Sequence, residues 1–311
     1  MKTLKPFRFA VIAHHATSKD AWITKARRIE QLGYSTLVVP DHPGEQLAPV
    51  PAILAAAEAT RALRVGSYVF NNDFRHPVML AKEAATLDIL SDGRFEFGLG
   101  AGYDRSEYEQ CGIVYDPAPV RVRRLEEAIQ VVKRLFAEEP ASFSGKSYTI
   151  TNLNGFPKPM QRPSPPLLVG GAGKHMLSLA AREATIVSIA AKSLRDGSGL
   201  DVTDTTPAAT MQKIRWIHQA AGERFERLEL NIIIFAVVVT EERSQALRQL
   251  AGRFQTTEEH LPTLPHCLIG TLDQISDVLQ ERREKYGISY ISVFEESAEV
   301  LAPVVARLTG K

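Results

Sequence analysis

The sequence predicts an α/β fold, a (β/α)8 TIM barrel with insertions after the fourth and sixth strands. Strand-like and helix-like segments alternate along the 311 residues, and 44% of the residues are hydrophobic, which is enough for a large core. Eight strands can be counted, each followed by a helical segment, which fits a closed barrel better than an open doubly wound sheet. The predicted strands begin at Phe7, Ser35, Arg64, Phe95, Leu167, Ile186, Leu230 and Ile288.

Cap and turn residues delimit the elements of the first half of the chain. Ser18 is suited to cap a helix, and Gly33 is suited to end it. Apolar residues repeat at helical spacing between Val120 and Glu138. The predicted segments are the strand Phe7–Ala13, a helix from Ser18 to about Leu32, the strand Ser35–Val39, the helix Pro51–Thr60, the strand Arg64–Phe70, a helix after Pro77, the strand Phe95–Leu99 and the helix Val120–Glu138.

The second half of the chain begins with a hairpin and a proline-rich passage and then returns to alternation. The segment from Lys192 to Thr206 has few apolar residues and predicts a mobile surface loop. The regions 142–166 and 192–206 are expected to be insertions in one domain that spans residues 1–311. The predicted segments are the hairpin Phe143–Ile150, the strand Leu167–Val169, the helix Lys174–Glu183, the strand Ile186–Ile189, the helix Pro207–Ala221, the strand Leu230–Val239, the helices Glu241–Ala251 and Thr271–Tyr286, the strand Ile288–Val293 and a last helix from Glu296 to Leu308.

Composition excludes several classes of partner. The chain has 37 Lys and Arg against 36 Asp and Glu, so it offers no basic surface for nucleic acid or for an anionic membrane. No apolar run approaches the roughly 18 residues of a membrane span, and the apolar run before His14 is too short for a signal peptide. Cys111 and Cys267 have no metal-site or disulfide-framework spacing. We therefore expect a soluble, cytoplasmic protein.

Glycines break the fourth predicted strand at its end. Gly98, Gly100 and Gly102 lack a Cβ, so a planar or anionic group can approach the backbone closely. This spacing also occurs in dinucleotide-binding folds and methyltransferases, but there it usually opens the domain. Here three βα units precede it, which favours the barrel.

The carboxyl ends of barrel strands are where active sites form, and several polar residues follow these ends. His14 and His15 follow the first strand, and alternation directs only one of them inward, so either one can face a substrate pocket. Asp41 and His42 follow the second strand, and Asn71 follows the third. The histidines lack metal-site spacing, so no metal is predicted.

A second glycine run follows the fifth strand. Gly170, Gly171 and Gly173 precede a predicted helix, where free amide groups and the helix dipole favour an anion. An ordinary glycine-rich turn has the same composition. Lys174 and His175, next in the chain, favour a phosphate site.

Five motifs together resemble the luciferase-like monooxygenase superfamily, most closely the branch that uses the deazaflavin coenzyme F420. The motifs are Pro40-Asp41-His42, Asn71 with Arg75-His76-Pro77, Leu87-Asp88-x-x-Ser91-x-Gly93-Arg94, Gly98-Leu99-Gly100-Ala101-Gly102 and Ile269-Gly270-Thr271. The resemblance spans nearly the whole chain. It implies a barrel that holds a flavin-type cofactor at its carboxyl-terminal mouth, and a homodimer as the assembly.

The resemblance also implies roles for individual residues. Asp41 and His42 are expected to lie against the cofactor ring, with His42 as proton donor or acceptor. A non-proline cis peptide is expected between Tyr68 and Val69, with Val69 behind the ring. From their position after the fourth strand, Tyr103 and Tyr108 are expected to shape the substrate pocket or to cover the barrel mouth. The expected cofactor-binding residues are Tyr68, Val69, Asn71, Gly100, Gly102, Tyr103, Gly170, Gly171, Gly173, Lys174 and His175.

Two neighbouring side chains have simpler interpretations. His76 stands before Pro77 and is suited to cap the following helix, whereas Arg75 is expected to pair with Asp88 or with a phosphate.

The function expected from this resemblance is hydride transfer between F420 and a small or medium organic substrate. A monooxygenase of the same superfamily that uses FMN is the main alternative, since a deazaflavin does not readily form the flavin hydroperoxide. A flavin-binding protein without turnover is the second alternative. The polar residues at the strand ends argue against simple storage.

Overall fold

The computed structural model describes residues 4–137, 140–192, 201–254 and 256–311. Within these residues, the strands are β1 (Arg8–Ile12), β2 (Thr36–Val39), β3 (Arg64–Ser67), β4 (Phe70–Asn71), β5 (Phe95–Gly100), β6 (Ala141–Ser144), β7 (Thr149–Leu153), β8 (Leu167–Gly171), β9 (Ile186–Ile189), β10 (Glu229–Ile234), β11 (Ala236–Val239), β12 (Cys267–Gly270) and β13 (Ile288–Phe294). The α-helices are α1 (Lys19–Gln31), α2 (Pro49–Ala59), α3 (Pro77–Leu90), α4 (Arg105–Gln110), α5 (Ala118–Ala137), α6 (Lys174–Glu183), α7 (Pro207–Ala221), α8 (Arg243–Arg253), α9 (Leu272–Tyr286) and α10 (Ala298–Leu308).

The main sheet is a closed barrel of eight parallel strands, so the predicted fold class is confirmed. Its order is β3-β2-β1-β13-β10-β9-β8-β5-β4, and β3 also pairs with β5. Because β3 and β4 are two parts of the third barrel strand, the nine segments make eight strands. All eight strands counted in the sequence are barrel strands.

Most predicted elements are found close to their predicted bounds. Helices α6 and α7 begin and end at the predicted residues. The Ser18 side chain caps α1, since its Oγ accepts a hydrogen bond from the Ala21 amide at 3.1 Å. The predicted hairpin is the antiparallel pair β6–β7. Glu138, the predicted end of a helix, and residues 193–200 of the predicted loop lie outside the described residues.

The structure differs from the prediction in several details. The predicted strand Leu230–Val239 is two strands, because the Phe235 amide leaves the barrel ladder and donates to the His266 carbonyl at 2.8 Å. The second part, β11, pairs in parallel with β12, which was not predicted. Helix α4 was also not predicted. Within the predicted surface loop, Val202–Thr205 forms a 3₁₀ helix that contains the buried residue Asp204.

The chain divides into two compact units. The first comprises Met1–Ala13, Arg28–Thr36 and Gly170–Lys311, and the second comprises His14–Arg27 and Leu37–Val169. The expected organisation as one domain over residues 1–311 stays a prediction.

The first unit is built on four adjacent parallel strands, in the order β1-β13-β10-β9. Strand β13 pairs with both neighbours, and six of its seven residues are buried, the pattern expected for a strand covered on both faces. A polar chain crosses this sheet: Ser188 Oγ donates to Asn231 Oδ1 at 2.7 Å, and Asn231 Nδ2 donates to Ser292 Oγ at 2.9 Å. These buried polar groups are therefore satisfied.

A buried ion pair fixes the segment that follows β9. Lys213 Nζ lies 2.7 Å from Asp204 Oδ2 and donates to the Ala190 carbonyl at 2.8 Å, and its side chain is only 1% exposed. Burial lowers the pKa of Lys213, and Asp204 opposes that shift. Lys192 Nζ approaches the same carboxylate at 3.3 Å, but that side chain is 52% exposed.

Replacement of Lys213 by methionine is expected to lower the free energy of unfolding by about 3 kcal/mol, because it leaves the buried Asp204 carboxylate without its closest cation. Lys192→Met is the matched control and is expected to cost about 0–1 kcal/mol, since an exposed ion pair is weak. Urea unfolding of both variants measures the difference. Equal effects of the two substitutions would contradict this account of the pair.

A histidine is buried where β10 meets β11. His266 has no exposed surface, its Nδ1 lies 2.8 Å from the Ile233 carbonyl, and its ring stacks on Phe235 at 5.2 Å. Burial lowers the pKa of His266 from its ordinary value of 6.5 to about 4, and the positive charges of Lys213 and Arg282 add to this effect while Asp204 opposes it. The folded state therefore requires the neutral imidazole.

We expect His266 to make stability depend on pH in one direction. Its contribution is fully present above pH 6.5 and is lost as the pH falls to about 4, because the unfolded chain binds the proton first. A difference of about 2.5 pKa units corresponds to about 3 kcal/mol. Chemical unfolding between pH 4 and 7 should show a steeper loss for the wild type than for His266→Asn, and parallel curves would refute the assignment.

The second unit contains the parallel strands β3, β4, β5 and β8. Strand β5 pairs with β3, β4 and β8, and all six of its residues are buried. The Glu127 carboxylate on α5 accepts hydrogen bonds from the amides of Lys146, Ser147 and Tyr148, which fixes the hairpin β6–β7 beside that helix. No helix in the part of the chain described by the structure has the length and apolar character required to cross a membrane.

Candidate active site

The glycines of β5 make room for residues of the third barrel strand. A Cβ on Gly98 would lie 2.0 Å from the Ser67 carbonyl oxygen, and a Cβ on Gly100 would lie 2.6 Å from Val69 Cγ2. The Tyr68–Val69 peptide is cis, as predicted, and both side chains are half-buried. The side chain of Val69 therefore fills space beside Gly98 and Gly100. The sequence had instead predicted that a ligand occupies this space.

Asp41 is anchored by the end of β4 and by the segment that follows it. Its buried carboxylate pairs with both terminal nitrogens of Arg75, with Nη2 3.0 Å from Oδ1, and Oδ2 accepts a hydrogen bond from the Asn71 amide at 2.9 Å. The expected pairing of Arg75 with Asp88 is wrong. Asp88 instead accepts hydrogen bonds from Gln161, whose backbone amide nitrogen lies 2.8 Å from Asp88 Oδ2.

The carboxylate that contacts His42 is Glu107, which sequence inspection missed. His42 Nδ1 lies 2.6 Å from Glu107 Oε1, and the two side chains are 24% and 19% exposed. Burial raises the pKa of Glu107, and the nearby His42 opposes that shift. Since Nδ1 faces the carboxylate, Nε2 is the ring nitrogen left to face a reactant. Tyr103 lies edge-on to the His42 ring at 5.8 Å.

Helix α4 carries Glu107, and one sequence signal indicates its start. Asp104 is the N-cap, and its Oδ1 accepts a hydrogen bond from the Ser106 amide at 2.9 Å. An aspartate followed three residues later by a glutamate is a recognised helix-start pattern. With only six residues and a polar sequence, α4 shows no apolar periodicity, which explains why it was missed.

Tyr108 and Asn71 form the buried part of the site. The Tyr108 hydroxyl donates to Asn71 Oδ1 at 3.1 Å and lies 3.1 Å from Asp73 Oδ2. A Cβ on Gly102, whose φ is +70°, would lie 1.9 Å from the Tyr108 hydroxyl. Tyr108 has no exposed surface, so in this structure it does not line an open pocket.

The remaining predicted residues of the second unit lie at its surface. His14 is half-buried and its carbonyl accepts a hydrogen bond from the Leu47 amide, whereas His15 is exposed and its carbonyl accepts from Lys25 Nζ. Tyr103 is 62% exposed. His76 caps α3 as predicted, its Nδ1 accepting from the Val78 amide at 3.3 Å.

The second glycine run belongs to the first unit. Gly173 is the N-cap of α6 and provides no side-chain cap, and a Cβ there would meet nothing within 4 Å. Lys174 and His175 are exposed in the first turn. Gly171 has a packing reason of its own, because a Cβ there would lie 2.4 Å from Met176 Cγ.

A cavity of about 350 Å³ lies beside the loop that follows β4, but neither His42 nor Glu107 lines it. Its two arginines already have acidic partners: Arg75 pairs with Asp41, and Arg124 pairs with Asp73 at 3.0 Å and with Asp116. Over the described part of the chain, no group of three or more His, Cys, Asp or Glu residues is arranged to hold a metal ion.

The chain belongs to the luciferase-like monooxygenase family, whose model matches residues 2–287. Members of this family are oxidoreductases. The resemblance identified from the sequence motifs is therefore confirmed.

Known relatives include monooxygenases and F420-dependent enzymes. The chain is 39% identical over 122 residues to the 4-hydroxyprotoasukamycin monooxygenase of Streptomyces nodosus subsp. asukaensis, covering 38% of this chain and 32% of that protein. It is 29% identical over 161 residues to the F420-dependent glucose-6-phosphate dehydrogenase of Microbacterium testaceum (strain StLB037), covering 49% and 47%. The matches thus span about a third to a half of these relatives.

The fold is shared with a solved structure along its whole length. The coenzyme F420 dependent tetrahydromethanopterin reductase from Methanopyrus kandleri has a TM-score of 0.77 at 16% identity, and the match covers 99% of both chains. This likeness shows the barrel fold.

Proposed function

We propose that this protein is an oxidoreductase that transfers a hydride between coenzyme F420 and a small or medium organic substrate. The observation that carries the proposal is the His42–Glu107 pair, 2.6 Å apart and half-buried, just after barrel strand β2. Hydride transfer to or from an oxygen-bearing carbon requires a proton to move on or off that oxygen, and this pair is suited to move it. The F420-dependent relative supports this choice of cofactor.

The residues give the pair a defined chemistry. With Nδ1–H donating to Glu107, His42 presents the lone pair of Nε2, and the carboxylate stabilises the imidazolium that forms when Nε2 takes a proton. Hydride exchange at C5 is the chemistry that a bound deazaflavin supplies. With an alcohol as substrate, the carbon gives up a hydride, the hydroxyl proton goes to His42 Nε2, and the product is a carbonyl compound. The reverse direction uses the protonated histidine as the donor.

Residues of each unit, considered by itself, suit such a cofactor. The amides at the start of α6 have no side-chain cap, and open space at Gly173 with Lys174 and His175 nearby suits an anionic group. The half-buried Val69 offers an apolar contact for a ring. The remaining side chains proposed to contact the cofactor are Tyr68, Asn71 and Tyr103. Gly100, Gly102, Gly170 and Gly171 are proposed to do so through their backbone atoms, since Val69 and Tyr108 fill the space beside Gly100 and Gly102. Asp41 is proposed to anchor His42, and His14 and His15 are proposed for the substrate.

An FMN-dependent monooxygenase is the second candidate. The observation that favours it is the 39% identity to a monooxygenase over 122 residues. A monooxygenase needs a reduced flavin that reacts with oxygen, whereas the proposed hydride transfer needs a deazaflavin. The identity of the cofactor therefore decides between the two candidates.

Titration of the protein with F420 and, separately, with FMN tests the proposal, with quenching of cofactor fluorescence as the readout. We expect micromolar binding of F420 and much weaker binding of FMN. The F420-loaded protein is then incubated with 2-propanol, cyclohexanol and glucose 6-phosphate, and loss of the visible absorbance of F420 reports turnover. Binding of FMN alone would sink the proposal in favour of the monooxygenase, and binding of neither would refute the cofactor site.

We also propose that the protein is a cytoplasmic homodimer. Helices α2 and α3 are rich in apolar residues, and Met79, Ile89 and Leu90 on α3 are exposed. Cys111 and Cys267 are free, which fits a reducing compartment. Light scattering after size exclusion should give twice the 34.3 kDa chain mass. Met79→Asp should weaken the dimer, whereas Val300→Asp on α10 should not, and a monomeric wild type would refute it.

A further inference from the structure

Helix α4 places two consecutive side chains on different partners. Glu107 contacts His42, and Tyr108 points into the buried cluster with Asn71 and Asp73. A helix of six residues is too short to hold its own shape in water, so tertiary contacts must fix it. The position of the Glu107 carboxylate therefore depends on whatever holds its neighbours.

Tyr108 is the side chain of α4 that reaches the interior. It is fully buried, and its ring packs against Phe74 at 5.6 Å and edge-on against Tyr115 at 5.0 Å. The hydroxyl of Tyr108 meets Asn71 Oδ1 at 3.1 Å. Burial raises the pKa of this phenol, so it remains a hydrogen-bond donor at physiological pH.

Asn71 connects Tyr108 back to the strand end that carries His42. Its side-chain oxygen accepts from Tyr108, and its backbone amide donates to Asp41 at 2.9 Å. Asp41 is the chain neighbour of His42, as Tyr108 is of Glu107. These contacts form a closed ring through the Tyr108 hydroxyl. The hydroxyl also lies 3.1 Å from Asp73 Oδ2, and the Asp73 amide donates to Asn71 Oδ1 at 3.0 Å.

Arg121 fixes the ends of the segment that carries α4. Arg121 is 5% exposed, and its guanidinium donates to the carbonyls of Ala101 at 3.1 Å, Gly102 at 3.2 Å and Asp116 at 2.5 Å. Between these ends, the hydrogen bond from the Tyr108 hydroxyl to Asn71 Oδ1 connects α4 to Asn71.

We infer that Tyr108 is a positioning residue that sets the Glu107 carboxylate against His42 through the hydrogen bond of its hydroxyl to Asn71. This inference rests on the proposed role of the His42–Glu107 pair in proton transfer. The geometry also explains Gly102, since any side chain there would displace the hydroxyl. Loss of the Tyr108 hydroxyl should make the position of the Glu107 carboxylate less well defined, while the carboxylate itself remains present.

The test reads the His42–Glu107 contact directly, in protein without added cofactor. Histidine is labelled with ¹⁵N, the His42 signals are assigned by their loss in His42→Gln, and the Nδ1 chemical shift is measured. Glu107→Gln defines the shift that follows when the charged partner is removed. We expect Tyr108→Phe to move Nδ1 in the same direction. Asn71→Ala should do so by a smaller amount, because it removes one acceptor of the hydroxyl and leaves the other, Asp73 Oδ2 at 3.1 Å.

Tyr115→Phe is the matched control, because it removes a hydroxyl from the same segment that instead donates to the Tyr103 carbonyl. It should leave the His42 Nδ1 signal in place. Thermal unfolding confirms that each variant is folded, and Asn71→Ala keeps the test open if Tyr108→Phe is not. A His42 signal that moves in Glu107→Gln but stays unchanged in the folded Tyr108→Phe variant overturns the inference, as does one that Glu107→Gln fails to move.

A kinetic readout separates this inference from the proposed function. Where the F420-linked reaction is observed, Tyr108→Phe should lower kcat several-fold while the Kd for F420 stays unchanged. Absence of any F420 binding would refute the proposed function and leave the NMR result for Tyr108 standing on its own.

Discussion

Replacement of His42 by glutamine is expected to lower kcat of the F420-linked reaction by about 10²–10⁴-fold, the usual contribution of a general acid or base. Glutamine keeps a polar group of similar reach, but it cannot take up and return a proton at neutral pH. Binding of F420 should change little, because the substitution removes proton transfer and not the anion site proposed at α6. Steady-state kinetics with whichever of the tested alcohols is turned over measure the change in kcat. Fluorescence titration with F420 measures the change in binding.

Two further variants sharpen this prediction. Glu107→Gln should lower kcat by a smaller factor and should change the pH profile, because the imidazolium loses its stabilising carboxylate 2.6 Å away. His260→Gln, a change at an exposed histidine in the other unit, is the control and should behave as wild type. Full activity of His42→Gln would remove this residue from the mechanism and with it the observation on which the proposed function rests.

Substitution of Gly98 by alanine is expected to cost about 3 kcal/mol or more of unfolding free energy, because its Cβ would lie 2.0 Å from the Ser67 carbonyl oxygen, a backbone atom. Gly100→Ala should cost about 1–3 kcal/mol, since its close contact is with Val69 Cγ2, a side-chain atom. Urea unfolding measures both, and the yield of soluble protein reports on Gly98→Ala if that variant does not fold.

A double-mutant cycle distinguishes the two causes. Val69→Ala should offset part of the cost of Gly100→Ala, so that the double variant is more stable than the sum predicts. The same change should help Gly98→Ala far less, because the Ser67 carbonyl cannot be truncated. Gly44→Ala, where a Cβ meets nothing within 4 Å, is the control and should stay within about 0.5 kcal/mol of wild type. Equal rescue at both positions would contradict the backbone collision.

The fold was predictable because the pattern that defines it is long and local. Each barrel strand is an apolar run bounded by turn residues, so eight strands were found from the sequence. The break after Ile234 was not, because the apolar run continues through Phe235 and only a distant carbonyl, that of His266, diverts the chain there. The partner strand β12 has four residues, too few for a period to show.

The sequence predicted which polar residues follow each strand of the candidate site, but it did not predict their contacts. Barrel geometry and the family resemblance placed Asp41 and His42 after the second strand. The pairings of Arg75 with Asp41 and of His42 with Glu107 join residues 34 and 65 positions apart, and no local pattern encodes such distances. The glycines of this region are ambiguous in a similar way. A glycine in the sequence indicates that another group approaches its backbone closely, but only the structure shows that this group is Val69 at Gly100 and Tyr108 at Gly102.

The guanidinium of Arg121 also has an evolutionary consequence. By holding the carbonyls of Ala101, Gly102 and Asp116 together, it separates the base of this segment from its tip, where Gly112 and Val114 are exposed, Val114 by 74%. Residues at the tip can diverge, or accept grafted sequence, while the base keeps Glu107 in place. A change in the sequence of this tip is therefore expected to leave the contact between His42 and Glu107 in place.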